Sequence, residues 1–228
     1  MTNETVWETL ERTGAILRND HFVYTKGGHG SEYVNKDALF KYPLELSTMC
    51  KSIADAFTDK FGITEADVVL GPAVGGALIA QWVAYHLQIT TTRTEVLAIY
   101  ADKEVVIFPG PKTEARFVLN RGYDVVVPGR RVLVVEDILN TGGSVKQVVE
   151  LARKHGGYVI GVGAICNRGN VRIVDIGEPP TLYSVVAVKM QVHDSSKCPL
   201  CAAGIPINTK IGKGADFVAQ RGQPKVPV

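Results

Sequence analysis

Glu136 and Asp137 stand just ahead of Asn140-Thr141-Gly142-Gly143-Ser144, separated from it only by Ile138 and Leu139. Carboxylates repel a phosphate but accept hydrogen bonds from hydroxyls. A run of small residues with open backbone N–H groups and side-chain hydroxyls does the opposite, and just before a helix it attracts a phosphate. A ribose 5-phosphate offers both kinds of group. Residues 132–135 form a short, continuous apolar run that suits a strand covered on both faces. The two acids end that run, at the edge where parallel sheets open their ligand crevice. Val145, Val148, Val149 and Ala152 then mark the inner face of the following helix.

A second stretch, Gly71-Pro72-Ala73-Val74-Gly75-Gly76, also follows an apolar run. Its three glycines allow close backbone approach to an anion and would suit a pyrophosphate. The elements that must position these loops alternate between strand and helix patterns, which argues for βα units around a parallel sheet. Helices are expected over residues 6–17 and 44–61, with Pro43 suited to a first turn, and from the second loop through His86. Strands are expected over residues 67–70, 94–100, 132–135, 159–166 and 182–188. Residues 101–130 hold Pro109, Gly110, Pro111 and Gly129 and read as a long insertion, often an active-site lid.

The chain has 228 residues and a net charge of +2, enough for a substantial core and too balanced to argue for nucleic acid. No apolar run is long enough to span a membrane, and the first residues lack the basic and apolar regions of a signal peptide, so a cytoplasmic protein is expected. The four cysteines, Cys50, Cys166, Cys198 and Cys201, do not resemble a secreted disulfide framework. Cys198 and Cys201 have zinc-knuckle spacing, but the pair gives two ligands where a closed site takes four. His193 is available as a third and no fourth is evident, so no residue is assigned to a metal.

The segment from Glu136 to Ser144 resembles the signature of the type I phosphoribosyltransferases, which bind 5-phosphoribosyl 1-pyrophosphate through two acids and a Thr-Gly-Gly-Ser-like loop. A dinucleotide-binding fold would want a Gly-rich fingerprint that is missing here. The resemblance implies that Glu136, Asp137, Asn140, Thr141, Gly142, Gly143 and Ser144 hold the ribose 5-phosphate, with Glu136 and Asp137 also catalytic. It implies that Ala73 to Gly76 hold the pyrophosphate, with a non-proline cis bond at Ala73-Val74. The stretch from His21 to Asp37 does not read as a regular helix and is similar to a hood segment of the orotate enzymes, in which Lys26 takes the place of a serine and becomes a candidate base contact. Tyr100-Ala101-Asp102-Lys103-Glu104 resembles the entry to the family's catalytic loop, so Lys103 carries over as catalytic. Asp102 stands where an arginine is common.

Phe117 to Tyr123 resembles a bacterial branch with a Leu-Arg-Arg-Gly-Phe-like lid, which makes Arg121 a second catalytic candidate after Lys103; Lys112 and Arg116 are the other basic residues of the lid, and Lys112 reads as a solvated charge. Asn167-Arg168 resembles an Asp-Arg pair whose arginine meets the substrate carboxylate by two parallel hydrogen bonds. Cys198-Pro199-Leu200-Cys201 with Gly204-Ile205-Pro206 is similar to the chain end of the same branch.

The expectation is therefore an α/β protein of the type I phosphoribosyltransferase fold, with a central, mainly parallel sheet flanked by helices, a small hood and a long flexible lid loop. Its expected parts are an N-terminal helix and hood segment (1–43), a core domain (44–190, lid 101–130) and a C-terminal hood and tail (191–228). The implied reaction joins orotate to phosphoribosyl pyrophosphate, with Mg²⁺ as cofactor and a homodimer as the working form. A purine or xanthine phosphoribosyltransferase is the alternative within the class. A non-catalytic regulator that binds phosphoribosyl pyrophosphate is the alternative outside it.

Overall fold

The computed structural model describes residues 3–91, 95–107 and 113–224. The chain begins with α1 (Asn3–Arg12), β1 (Ile16–Leu17), β2 (Phe22–Val23), β3 (His29–Gly30), β4 (Tyr33–Val34) and α2 (Lys36–Leu39). It continues through α3 (Pro43–Asp55), β5 (Val68–Pro72), α4 (Gly75–Thr90), β6 (Leu97–Ile107) and β7 (Thr113–Val118). The remaining elements are β8 (Arg131–Leu139), α5 (Gly143–Lys154), β9 (Tyr158–Asn167), β10 (Leu182–Ala187), α6 (Pro199–Ala202) and α7 (Gly214–Arg221). They divide into two compact units, Met1–Val6 with Tyr42–Val188, and Trp7–Lys41 with Lys189–Val228.

The first unit is a six-stranded sheet in the order β10-β9-β8-β5-β6-β7. Every neighbouring pair is parallel except β6 and β7. Val132 and Val134 of β8 pack with Val145, Val148, Val149 and Ala152 of α5 in one buried cluster. The same α5 positions marked the inner face in the sequence, because a helix buries residues three and four apart. On the other side α3 and α4 pack against the sheet. No described helix is long and apolar enough to cross a membrane.

Sequence-derived bounds shift where a local bond overrides the apolar pattern. The opening helix stops at Arg12 rather than at residue 17, because Gly14 turns the chain at φ +71° and Ile16–Leu17 instead pairs with Tyr33–Val34. The second helix loosens into a π-helical turn over Ala56–Lys60. The largest change falls in residues 101–130, expected as a loop. β6 runs on to Ile107 and β7 returns antiparallel to it, so Asp102 faces Val118 and Lys103 faces Phe117 in the register. Ladder hydrogen bonds do not require an apolar face, and Lys103 and Val105 are exposed along this ribbon. Pro109, Gly110, Pro111 and Lys112 lie outside the described residues.

The second unit has little regular structure. β1 pairs with β4 and β2 pairs with β3, each over two residues. Its buried apolar side chains include Leu10, Ile16, Phe22, Val23, Leu39 and Ile207.

Candidate active site

The site in the first unit follows from where β5 and β8 part. They pair only from Val68↔Val132 to Leu70↔Val134; beyond that β5 stays with β6, as Gly71↔Tyr100 and Pro72↔Ala101, and β8 stays with β9, from Glu136↔Ala164 to Leu139↔Asn167. A crevice therefore opens between the carboxyl ends of β5 and β8. The chain order also reverses there, which is where open α/β sheets bind their ligands. Both anion-binding candidates of the sequence lie at this opening.

Glu136 and Asp137 are buried, at 8% and 5% exposure. They do not end the strand as the apolar run implied. β9 keeps pairing with β8 through Leu139, so both acids remain in extended backbone and project to opposite sides of the sheet. Each reaches forward along its own chain. Glu136 Oε1 accepts the N–H of Asp137 at 2.9 Å, and Asp137 Oδ1 accepts that of Ile138 at 2.6 Å.

The turn after them is set by close packing. Gly142 has φ +76°, and a Cβ there would lie 2.6 Å from Cγ2 of Ile176 and 3.1 Å from Cγ1 of Val171. Only glycine meets both conditions without strain. Gly142 is also the N-cap of α5, where no side chain caps the helix. The first-turn N–H groups have no partner within a helix, so this end presents them to a ligand. Asn140, Thr141, Gly143 and Ser144 are exposed around it.

The outer wall of this turn was not foreseen. Leu139 O accepts the N–H groups of Arg168 and Gly169 at 2.9 and 3.0 Å. A Cβ on Gly169 would come within 1.5 Å of Asn140 O, so Gly169 seats the turn by its lack of a side chain. Asn167 is a brace: its amide donates to Val171 O and accepts from Val171 N, both at 2.9 Å. Arg168 follows the last residue of β9 and enters the same end of the sheet.

Across the crevice, the Ala73-Val74 peptide is cis, as the resemblance implied. Ala73 N donates to Ala101 O at 2.9 Å, which ties the loop to β6. The loop closes by direct backbone contact, since a Cβ on Gly71 would lie 2.2 Å from Gly76 O. Val74 caps α4 with no side-chain hydrogen bond and is 77% exposed at the loop tip. Both loops therefore present an uncapped helix start at one sheet end.

The charged ribbon is arranged differently. Arg121 Nε lies 3.4 Å from an Asp102 carboxylate oxygen, and its guanidinium stands 5.7 Å from the centre of the Tyr100 ring. Arg116 pairs with Glu104 at 3.3 Å. Thus Asp102, at the place of a common arginine, serves as the anchor of Arg121. Lys103 is exposed and makes no ion pair among the described residues. Strand alternation puts it on the face opposite Asp102.

In the second unit Lys26 is exposed on the turn between β2 and β3, closed by Tyr24 N donating to Gly28 O at 2.8 Å and Gly27 N donating to Tyr24 O at 2.9 Å. The strands beside this turn carry something the sequence did not reveal. His21, His29, Cys198 and Cys201 place one ligand atom each within 4.8 Å of all the others. His193, the expected third donor, is not among them. Its backbone instead exchanges two 2.8 Å hydrogen bonds with His29. Burial, with Cys198 beside it, pushes the Cys201 thiol up to about 11, and burial together with His21 lowers His29.

The model of the phosphoribosyl transferase domain family matches residues 44–178. Over 207 residues the chain is 36% identical to the orotate phosphoribosyltransferase of Caldanaerobacter subterraneus subsp. tengcongensis, covering 91% of this chain and 96% of that one. It is 34% identical to that of Thermotoga maritima, with 91% and 97% covered. Among solved structures, an orotate phosphoribosyltransferase from Aeropyrum pernix superposes with a TM-score of 0.57 at 23% identity, over 79% of this chain and 92% of that one. An adenine phosphoribosyltransferase from Thermoanaerobacter pseudethanolicus gives the same 0.57 at 16% identity, over 82% and 100%. At such low identity these two structures carry the fold and leave the base open.

Proposed function

We propose that this chain, which belongs to the type I phosphoribosyltransferase family, transfers the phosphoribosyl group of 5-phosphoribosyl 1-pyrophosphate to orotate. The products are orotidine 5′-monophosphate and pyrophosphate. The observation that carries the transfer is the parting of β5 and β8, with the acids, the Gly142 turn and the Gly71–Gly76 loop at one sheet end. The base is supported by relatives of nearly the same length, each an orotate phosphoribosyltransferase, and by Arg168 beside the ribose turn.

In the reaction the bond from C1′ to the pyrophosphate oxygen breaks, and its electron pair leaves with pyrophosphate. A ring nitrogen of orotate forms the new bond to C1′ and gives up its proton, which leaves with the pyrophosphate or passes to water. The N–H groups at the start of α5, with Asn140, Thr141, Gly143 and Ser144, hold the 5-phosphate. Glu136 and Asp137 accept the ribose hydroxyls and so fix C1′ against the crevice. The N–H groups of the Ala73–Gly76 loop receive the pyrophosphate. Positive charge delivered to it as it leaves lowers the barrier, because charge develops there in the transition state. Lys103 is assigned that role, with Arg121 as a second contributor once released from Asp102. Arg168 holds the orotate carboxylate through two parallel hydrogen bonds.

Mg²⁺ fits this donor set, since carboxylate oxygens suit a hard cation, and Glu136 and Asp137 would hold it. When bound it supplies neutralisation of the pyrophosphate charge. A homodimer in the cytoplasm is proposed as the working form.

The test is pyrophosphate release from phosphoribosyl pyrophosphate with orotate, uracil, xanthine, hypoxanthine, guanine and adenine in turn. Turnover with orotate alone is expected. Turnover with a purine and none with orotate would keep the transfer chemistry and discard the base. Tight binding of phosphoribosyl pyrophosphate with no turnover on any base would make the chain a regulator.

A further inference from the structure

Two histidines and two cysteines of the second unit have no part in the transfer reaction, yet they converge. We propose that His21, His29, Cys198 and Cys201 bind one Zn²⁺ in a closed, structural site. His21 Nε2 lies 3.6 Å from Cys198 Sγ, 3.7 Å from Cys201 Sγ and 3.0 Å from His29 Nδ1, and Cys201 Sγ lies 3.3 Å from His29 Nδ1. A tetrahedral zinc ion with bonds of about 2.0 to 2.3 Å sets its ligand atoms roughly 3.3 to 3.8 Å apart. The contacts with sulfur already lie at that spacing or close to it, and the two ring nitrogens need to separate by only a few tenths of an ångström.

The donors are also oriented. His21 Nδ1 faces Ile205 O at 2.8 Å, which fixes its hydrogen on Nδ1 and leaves the Nε2 lone pair directed at the cluster. His29 is held by the paired backbone bonds to His193. Cys198 and Cys201 are free thiols that bracket the first turn of α6. Three of the four residues are buried, and the fourth, Cys201, is half-buried. The His29 ring is fully enclosed, and its other nitrogen, Nε2, has no hydrogen-bond partner among the described residues. Two thiolates and two imidazoles match zinc in softness, and four protein ligands leave no open position for chemistry.

The physical need for such a site lies in the unit that holds it. It is assembled from two stretches of chain separated by the whole sheet, and its strands pair over only two residues at a time. A scaffold with so small a core ordinarily needs a staple. Zinc would join the β2–β3 hairpin, through His21 and His29, to the C-terminal segment, through Cys198 and Cys201.

The test uses the full chain, produced with zinc in the medium and dialysed against metal-free buffer. Elemental analysis should find one zinc per chain. Exchange with Co²⁺ should give the ligand-field bands of a tetrahedral site and thiolate-to-cobalt charge transfer. Cys201→Ser and His29→Ala should lose the metal, whereas His193→Ala should keep it. Should the first two variants fail to fold, the wild type decides: stripping with a chelator should lower its melting temperature, and Zn²⁺ but not Mg²⁺ should restore it. A reduced wild-type chain that takes up no zinc from excess overturns the proposal. So does loss of zinc from His193→Ala as complete as that from His29→Ala.

Discussion

The β8–α5 turn and the β6–β7 ribbon both offer groups to an anion, and they are built on opposite principles. The turn is backbone. Its shape is imposed by Gly142 against Ile176 and Val171, and by Gly169 against Asn140, so its N–H groups stand in place before any ligand arrives. The ribbon is side chain. Its arginines are exposed and spend their charge on Asp102 and Glu104 of the same ribbon. Rigidity suits the 5-phosphate proposed for this turn, because no ordering cost is left for the moment of binding. Groups that meet the leaving pyrophosphate act as its charge grows, and an exposed ribbon can deliver them and withdraw.

The sharpest way to break this contrast is Gly142→Val. A left-handed backbone costs a branched residue about 1 to 2 kcal/mol and overpacking adds about 1 to 3 kcal/mol, so affinity for phosphoribosyl pyrophosphate should fall by roughly two decades or more. Calorimetry showing unchanged affinity would remove the phosphate from this turn. Asp137→Asn, and Glu136→Gln likewise, should lower kcat/KM by roughly one to two decades, the value of a hydrogen bond to a charged group, while cooperative unfolding is kept. If both variants turn over like the wild type, these acids do not meet the ribose.

Arg168→Ala should raise the KM for orotate by about one to two decades and leave that for phosphoribosyl pyrophosphate unchanged. Equal rises in both constants would mean that the Arg168 side chain supports the turn rather than the base. The ribbon should answer more weakly. Lys103→Ala should cost about tenfold in kcat. Arg121→Ala should cost less than about fivefold, since an exposed ion pair of the Asp102 kind is worth only about 0.2 to 1 kcal/mol to break or keep. Single-turnover rates in which Arg121→Ala is the slower variant would exchange the two roles.

Much of the first unit was legible because its signals are local. A strand covered on both faces shows as an apolar run, here residues 132–135, α5 must repeat its apolar residues at helical spacing, and a turn with open N–H groups must use small residues, as residues 140–144 do. The ribbon was not legible because an exposed antiparallel pair is held by backbone bonds that leave no apolar pattern, and charged residues alternate along Asp102, Lys103 and Glu104. Gly169 could be quoted from the sequence but not understood, since its reason lies in Asn140, a neighbour only in space.

The second unit shows the same boundary most plainly. Cys198 and Cys201 declare themselves by spacing, because one helical turn brings them together. His21 and His29 do not, as nothing in a hairpin sequence says that its histidines meet a segment more than half the chain away. His193 was the natural guess for being near in sequence, and the fold gave it a backbone role instead. By itself the sequence determined the parallel core strands, the small-residue turn before α5 and the family. Only the tertiary structure decided which distant side chains share one place, because that depends on how the chain closes its loops and on no single stretch of residues.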